Sequence, residues 1–269
     1  MIEVIFFLDQ SLINKQGPRY SPTCLYSLNQ LKSKNIRLIA LTREELQGIE
    51  GYFDEIYYLD SLEEMEKKIR DYLEKKDIDS KSSLVIRKSA DDFVYRSLVE
   101  AKLIPQVELL DAIDKDERLL GFYLARATQF PEATFHLVVE IIVEHTDGSI
   151  LLMRRSPDKR KAPGLWEASA SGSVVAGEKS LDGAKRELRE ETGIDRGNFS
   201  FLGRYIYQDL GAIFHNYHCL TDFDKTKITL QEGETVDFRW IKKEELADFL
   251  NSPQAIAWQA QRYKELNLI

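Results

Sequence analysis

Glu187, Glu190 and Glu191 stand three and one residues apart in LDGAKRELREET, a spacing that gathers three carboxylates on one face if the segment is helical. It should be: residues 181–192 are good helix formers without proline, and Gly193 follows where a left-handed C-terminal cap belongs. Like charges so gathered repel. A hard divalent cation such as Mg2+, which takes oxygen ligands and keeps waters that a phosphate can replace, offsets that repulsion. Most Glu-rich helix faces are simply solvated, so the neighbouring residues decide. Glu178 and Arg186 are spaced for a loop carboxylate to pair with a helical guanidinium, fixing how the loop meets the helix. Gly172 lets backbone approach a metal or phosphate closely.

From Gly172 to Ile194 the chain reads GSVVAGEKSLDGAKRELREETGI, which fits G-x5-E-x7-R-E-L-x-E-E-x-G-I at every position. This segment resembles the Nudix box, the loop-helix-loop signature of enzymes that hydrolyse nucleoside diphosphates linked to another group. The resemblance implies an α/β/α sandwich with a mixed sheet and a Nudix-type pyrophosphohydrolase using Mg2+, with Mn2+ as an alternative. It makes Glu190 and Glu191 metal ligands, Glu187 a further ligand or general base, and the backbone carbonyl of Ser171 part of the metal shell. A later-loop carboxylate often joins them; in GETVDFRW that is Glu234, with Glu232 as the fallback.

Upstream, ILLMRRSPDKRKAPGLWEASASGS gathers Arg154, Arg155, Lys159, Arg160 and Lys161, and Arg154 or Arg155 is the candidate contact for a diphosphate. The same stretch looks like the isopentenyl-diphosphate-isomerase branch of Nudix proteins. That branch uses a cysteine followed by Gly-His where this chain has Ser171, Gly172 and Ser173. A serine hydroxyl exchanges protons poorly near neutral pH, so hydrolysis is favoured over isomerisation. A regulator that binds phosphorylated ligands without turnover is the other alternative. Trp166, Tyr205, Tyr207, Phe214 and Tyr217 could stack on a base, although aromatics on strands are more often core. His136, His145, His215 and His218 lack zinc-site spacing.

Those residues need a scaffold, and 269 residues with 43% hydrophobic and 30% charged side chains suffice for two cored domains. A net charge of −8 argues against general nucleic-acid binding and for a small phosphorylated substrate held locally. No stretch approaches a membrane span, and MIEVIFFLDQ reads as a buried first strand rather than a signal peptide. With only Cys24 and Cys219, a cytoplasmic setting is expected.

Strands at 3–9, 37–42, 55–59 and 83–87 alternate with helices at 23–34, 43–52, 61–76 and 91–102, predicting a doubly wound parallel sheet over residues 1–104. This domain weakly resembles the haloacid-dehalogenase-like phosphatase fold, with Asp9 ending the first strand and Thr42 a later one. The family's second aspartate is replaced by Ser11, and Arg87 and Lys88 stand where its acidic ligands belong, leaving Asp92 alone; no phosphatase activity is expected. A scaffold, a homodimer surface or a ligand sensor remains open. Residues 105–269 form the Nudix domain, with strands at 107–114, 119–125, 135–145, 149–155, 201–207, 212–220 and 237–241 and closing helices at 243–250 and 254–266.

Overall fold

A computed structural model describes residues 2–8, 20, 22–32, 34–86, 93–126, 130–159 and 161–266. The chain divides into two compact units, Met1–Glu132 and Ala133–Ile269.

In the first unit β1 (Val4–Leu8), β2 (Arg37–Thr42), β3 (Glu55–Tyr58) and β4 (Ser83–Ile86) form a parallel sheet in the order β3-β2-β1-β4. Alternation along β1 supplies both faces. Ile5 and Phe7 join Cys24, Leu28 and Leu31 of α1 (Pro22–Leu31) and Leu98 of α3 (Phe93–Glu100). Val4, Phe6 and Leu8 meet Met65, Ile69 and Tyr72 of α2 (Leu62–Lys76). Helices on both faces make the sheet doubly wound, as its apolar runs imply.

The helix expected at 43–52 does not form. Gly48 takes φ +88°, its N–H donates to the Glu50 carboxylate at 2.7 Å, and only a short 3-10 turn at Glu50–Tyr52 follows. A positive φ inside the segment interrupts the helical ladder. Asp9, Ser11, Arg87, Lys88 and Asp92 lie outside the described residues. The hairpin β5 (Leu109–Ile113) and β6 (Leu119–Ala125) belongs to the first compact unit. Val107 and Leu109 pack on the cluster that includes Leu28 and Leu98, which draws the hairpin to that side.

The second unit is built on a seven-stranded mixed sheet. Its path runs β11 (Asn198–Tyr207), β12 (Ala212–Thr221), β7 (His136–His145), β8 (Ser149–Arg155), β13 (Thr235–Lys242). Two short strands complete it: β9 (Trp166–Ala168) pairs with β8 and β10 (Ala170–Ser173) with β7, both antiparallel. Between them Ser169, at φ +68°, is buried; its Oγ donates to the Leu151 carbonyl at 2.9 Å and accepts from Val143 N–H at 2.8 Å. That side chain ties β7 to β8 where they diverge and sets the direction of β10.

Strand alternation again feeds two layers. Val139, Ile141 and Val143 pack with Ala184 and Leu188 of α4 (Ser180–Thr192), while Ile142, Ile150 and Leu152 face Leu246 and Leu250 of α5 (Leu246–Leu250) and Ala260 and Tyr263 of α6 (Ala257–Glu265). The result is the α/β/α sandwich expected. Beneath α6, Arg262 and Glu140 form a buried ion pair, and the Arg262 guanidinium lies 4.2 Å from the Phe214 ring centroid.

Candidate active site

Apolar Ala184 and Leu188 anchor one stripe of α4 on the sheet, and the 3.6-residue period carries Glu187 and Glu191 to the flank facing β10. Gly193 caps the helix at φ +77°, its N–H bonded to the Arg189 carbonyl at 2.9 Å, as the sequence predicts. Both Glu187 and Glu191 are buried; Glu190 is exposed.

Arg186 organises the loop before the helix. Its Nε and Nη2 donate to the two Glu178 carboxylate oxygens at 2.9 and 2.8 Å, and Nη2 also donates to the Ser173 carbonyl at 3.0 Å. Its Nη1 donates to Glu187 Oε1 at 2.7 Å and Glu190 Oε2 at 3.3 Å. Glu178 in turn accepts from Val175 N–H at 3.2 Å. Burial alone would raise the Glu178 carboxyl, but the bidentate Arg186 pair and the Val175 N–H hold it below its ordinary range, and the same pair holds the Arg186 guanidinium above its own. Gly172 gives the closest approach in the site: a Cβ built there would fall 2.0 Å from Glu187 Cδ.

Glu191 is the least neutralised carboxyl. Burial, followed by the charges of Glu167 and Glu187, raises its pKa well above the usual range, with Glu234 adding to the effect. Its Oε2 accepts from Ser171 N–H at 3.2 Å. Glu234 lies on the strand of loop before β13, where its carboxylate pairs with Lys159 Nζ and its carbonyl accepts from Ser156 N–H at 2.8 Å. Glu232, the fallback, is exposed and carries no comparable link to Glu191.

Glu167 was not singled out from the sequence. It is buried on β9, accepts from Arg155 Nη1 at 2.7 Å and from Ser171 Oγ at 3.2 Å, and burial raises its pKa, with Arg155 opposing. The available signal was an acid next to Trp166 within a run of small residues, WEASASGS, short enough in side chain to be closely covered. Arg155 Nε donates to the Lys161 carbonyl at 3.3 Å and Arg154 Nε to the Gly164 carbonyl at 3.1 Å. The two arginines thus brace the β8–β9 loop. Arg160 lies outside the described residues. Trp166 is covered by the Arg239 guanidinium, 4.4 Å from its centroid, which also sits 4.4 Å from Phe249.

Among the described residues no three His, Cys, Asp or Glu side chains are already converged as an ion's ligand set. The donor chemistry nevertheless suits a divalent cation. Glu167, Glu187 and Glu234 all act on Glu191; those three each have a basic partner, and buried Glu191 has none among the described residues. A cation there would supply the missing positive charge, and oxygen donors are what Mg2+ takes.

Residues 134–265 match the family model described as NUDIX domain. The chain is 31% identical over 153 residues to the Nudix hydrolase lmo0368 of Listeria monocytogenes, covering 56% of this chain and 90% of that protein. It is 28% identical over 153 residues to the Nudix hydrolase YfcD of Escherichia coli K12, covering 55% and 81%. Among solved structures, DR0079 from Deinococcus radiodurans is similar with a TM-score of 0.49 and 22% identity, covering 58% of this chain and 98% of that one.

Proposed function

The chain belongs to the Nudix hydrolase family and is a Nudix-type pyrophosphohydrolase, and from that premise we propose that it cleaves a diphosphate linkage in a nucleoside diphosphate derivative or a similar small phosphorylated metabolite. The observation that carries the residue assignment is the buried Glu191, without a basic partner among the described residues, amid the charges of Glu167, Glu187 and Glu234.

In this reading Glu187, Glu190 and Glu191, the Ser171 carbonyl and Glu234 would hold Mg2+ or Mn2+. The ion, when bound, supplies positive charge to the diphosphate oxygens and acidifies water. Arg186 steadies the Glu187 and Glu190 carboxylates with Nη1 while Glu178 holds the guanidinium. Glu187, fixed over Gly172, or Glu234 takes the proton of the attacking water. Water adds to one phosphorus, the bridging P–O bond breaks, and two phosphorylated products leave. Arg154, at the end of β8, is the candidate contact for the diphosphate.

The isomerase-like branch is a weaker reading, because Ser171-Gly172-Ser173 places Ser171 Oγ on Glu167 rather than offering a thiol. The parallel-sheet unit is proposed as a non-hydrolytic, haloacid-dehalogenase-like scaffold. Buried Cys24 and Cys219 suit a cytoplasmic setting, and no helix among the described residues is long and apolar enough to cross a membrane.

Incubation with nucleotide sugars, dinucleoside polyphosphates, ADP-ribose, NADH and modified nucleoside triphosphates in 18O-labelled water tests the proposal. Mg2+-dependent cleavage with one label in a product phosphate is expected. Specific binding without turnover of any compound, with either Mg2+ or Mn2+, would instead support a phospho-ligand-binding regulator.

A further inference from the structure

Arg155 carries a cation toward the site from β8 but turns it inward. Its side chain is 16% exposed, and that of its partner Glu167 only 6%. One Glu167 oxygen is taken by Arg155 Nη1 at 2.7 Å, and the other accepts from Ser171 Oγ at 3.2 Å. The N–H of the same serine donates to Glu191 Oε2 at 3.2 Å. An unbroken line of contacts therefore joins Arg155, Glu167, Ser171 and Glu191 across β8, β9, β10 and α4.

We propose that Arg155 and Glu167 are a buried positioning pair for the reaction: they fix Ser171, and through it Glu191, so that Arg155 serves catalysis without gripping substrate phosphate. The inference rests on the site reading above and adds a pair of residues outside the Nudix box. Two features favour positioning over phosphate binding. The Arg155 donors Nη1 and Nε are already committed, to Glu167 and to the Lys161 carbonyl. Glu167 holds Ser171 with one oxygen only while the other is kept in place by the guanidinium, and a planar guanidinium sets that orientation better than a flexible ammonium. Glu167 also lies close enough to Glu191 to be the leading charge acting on it.

Three full-length variants, Glu167→Gln, Arg155→Gln and the double R155Q/E167Q, separate the roles. Each single change leaves one buried charge unmatched and lowers the melting temperature; the double removes both charges and restores it. Positioning predicts that the double variant, though stable, keeps a kcat about 10- to 100-fold below wild type with KM within about twofold. Mn2+ binding, read by electron paramagnetic resonance without substrate, should weaken about 10-fold in both singles and in the double.

Recovery of wild-type kcat and Mn2+ binding in the double variant overturns the proposal, since the pair would then serve stability alone. A raised KM with unchanged kcat in R155Q also overturns it, showing a phosphate contact. Glu191→Gln in the same assays distinguishes failures. If that variant is inactive while the Glu167 variants match wild type, only this inference falls; if it too is fully active, the site reading falls with it.

Discussion

Glu187 Cδ occupies the space where any side chain at position 172 would begin, 2.0 Å from the ideal Cβ of Gly172. Real Cβ atoms do not approach that closely, so Gly172→Ala must move either β10 or the Glu187 carboxylate. Because Glu187 is also held by Arg186, the shift should spread to the whole carboxylate set. The expected outcome is a kcat about 10²-fold lower in a folded protein, since displacements near 1 Å at a reacting centre have that effect. Steady-state kinetics beside circular dichroism checks it; an unaltered kcat places Glu187 outside the chemistry.

Arg186 has a structural duty separable from turnover. It satisfies Glu178, Glu187 and the Ser173 carbonyl at once, with its side chain 20% exposed. Arg186→Met strands two largely buried carboxylates and should cost about 3 kcal/mol in denaturant unfolding. Adding Glu178→Gln should recover part of that loss, because one stranded charge disappears. Identical midpoints for R186M and wild type would count against the pairing.

Away from the site, Lys243, opposed by partial burial and aided by His218, holds the Glu144 carboxyl below its ordinary value of 4.5; the contacts are 2.8 and 2.9 Å. A depressed folded-state pKa contributes stability that is present above the unfolded value and lost as pH falls through the folded one. Wild type should therefore exceed Glu144→Gln by about 1 kcal/mol near neutrality, with the gap closing below about pH 4. Melting curves of both proteins from neutral to acid pH give the comparison, and a gap that widens on acidification would reverse the assignment.

Burial pushes the Cys219 thiol up to about 12, in a strand where it is fully covered. The thiolate is the reactive form, so Cys219 should resist iodoacetamide at pH 8 in native protein and react on unfolding. Peptide mapping by mass spectrometry reads this directly. Rapid native labelling of Cys219 would show that β12 opens readily.

The site's helix was legible because its information is local. Spacing placed Glu187 and Glu191 together, Gly193 marked the cap, and Glu178 lay within loop reach of Arg186. Charge partners across strands were not legible, since nothing in the sequence aligns Arg155 on β8 with Glu167 on β9. The same limit hid Glu140 with Arg262, although an acid centred in LVVEIIV demanded some buried partner. Short β9 and β10 escaped notice because β9 is only three residues long, and the Ala, Ser and Gly of β10 carry little strand preference. In the first unit the apolar runs gave the parallel sheet and its paired faces. The segment 43–52 read as helical by composition, but Gly48 at positive φ overrode that preference.

Mn2+ titration of the metal-free wild type and Glu191→Gln, followed by electron paramagnetic resonance, tests the central claim most directly. Gln keeps the shape and removes a buried like charge, so the variant should melt no lower than wild type in EDTA. The account predicts a bound Mn2+ in wild type and binding at least about 10-fold weaker in the variant. Equal affinity in two equally folded proteins would contradict it.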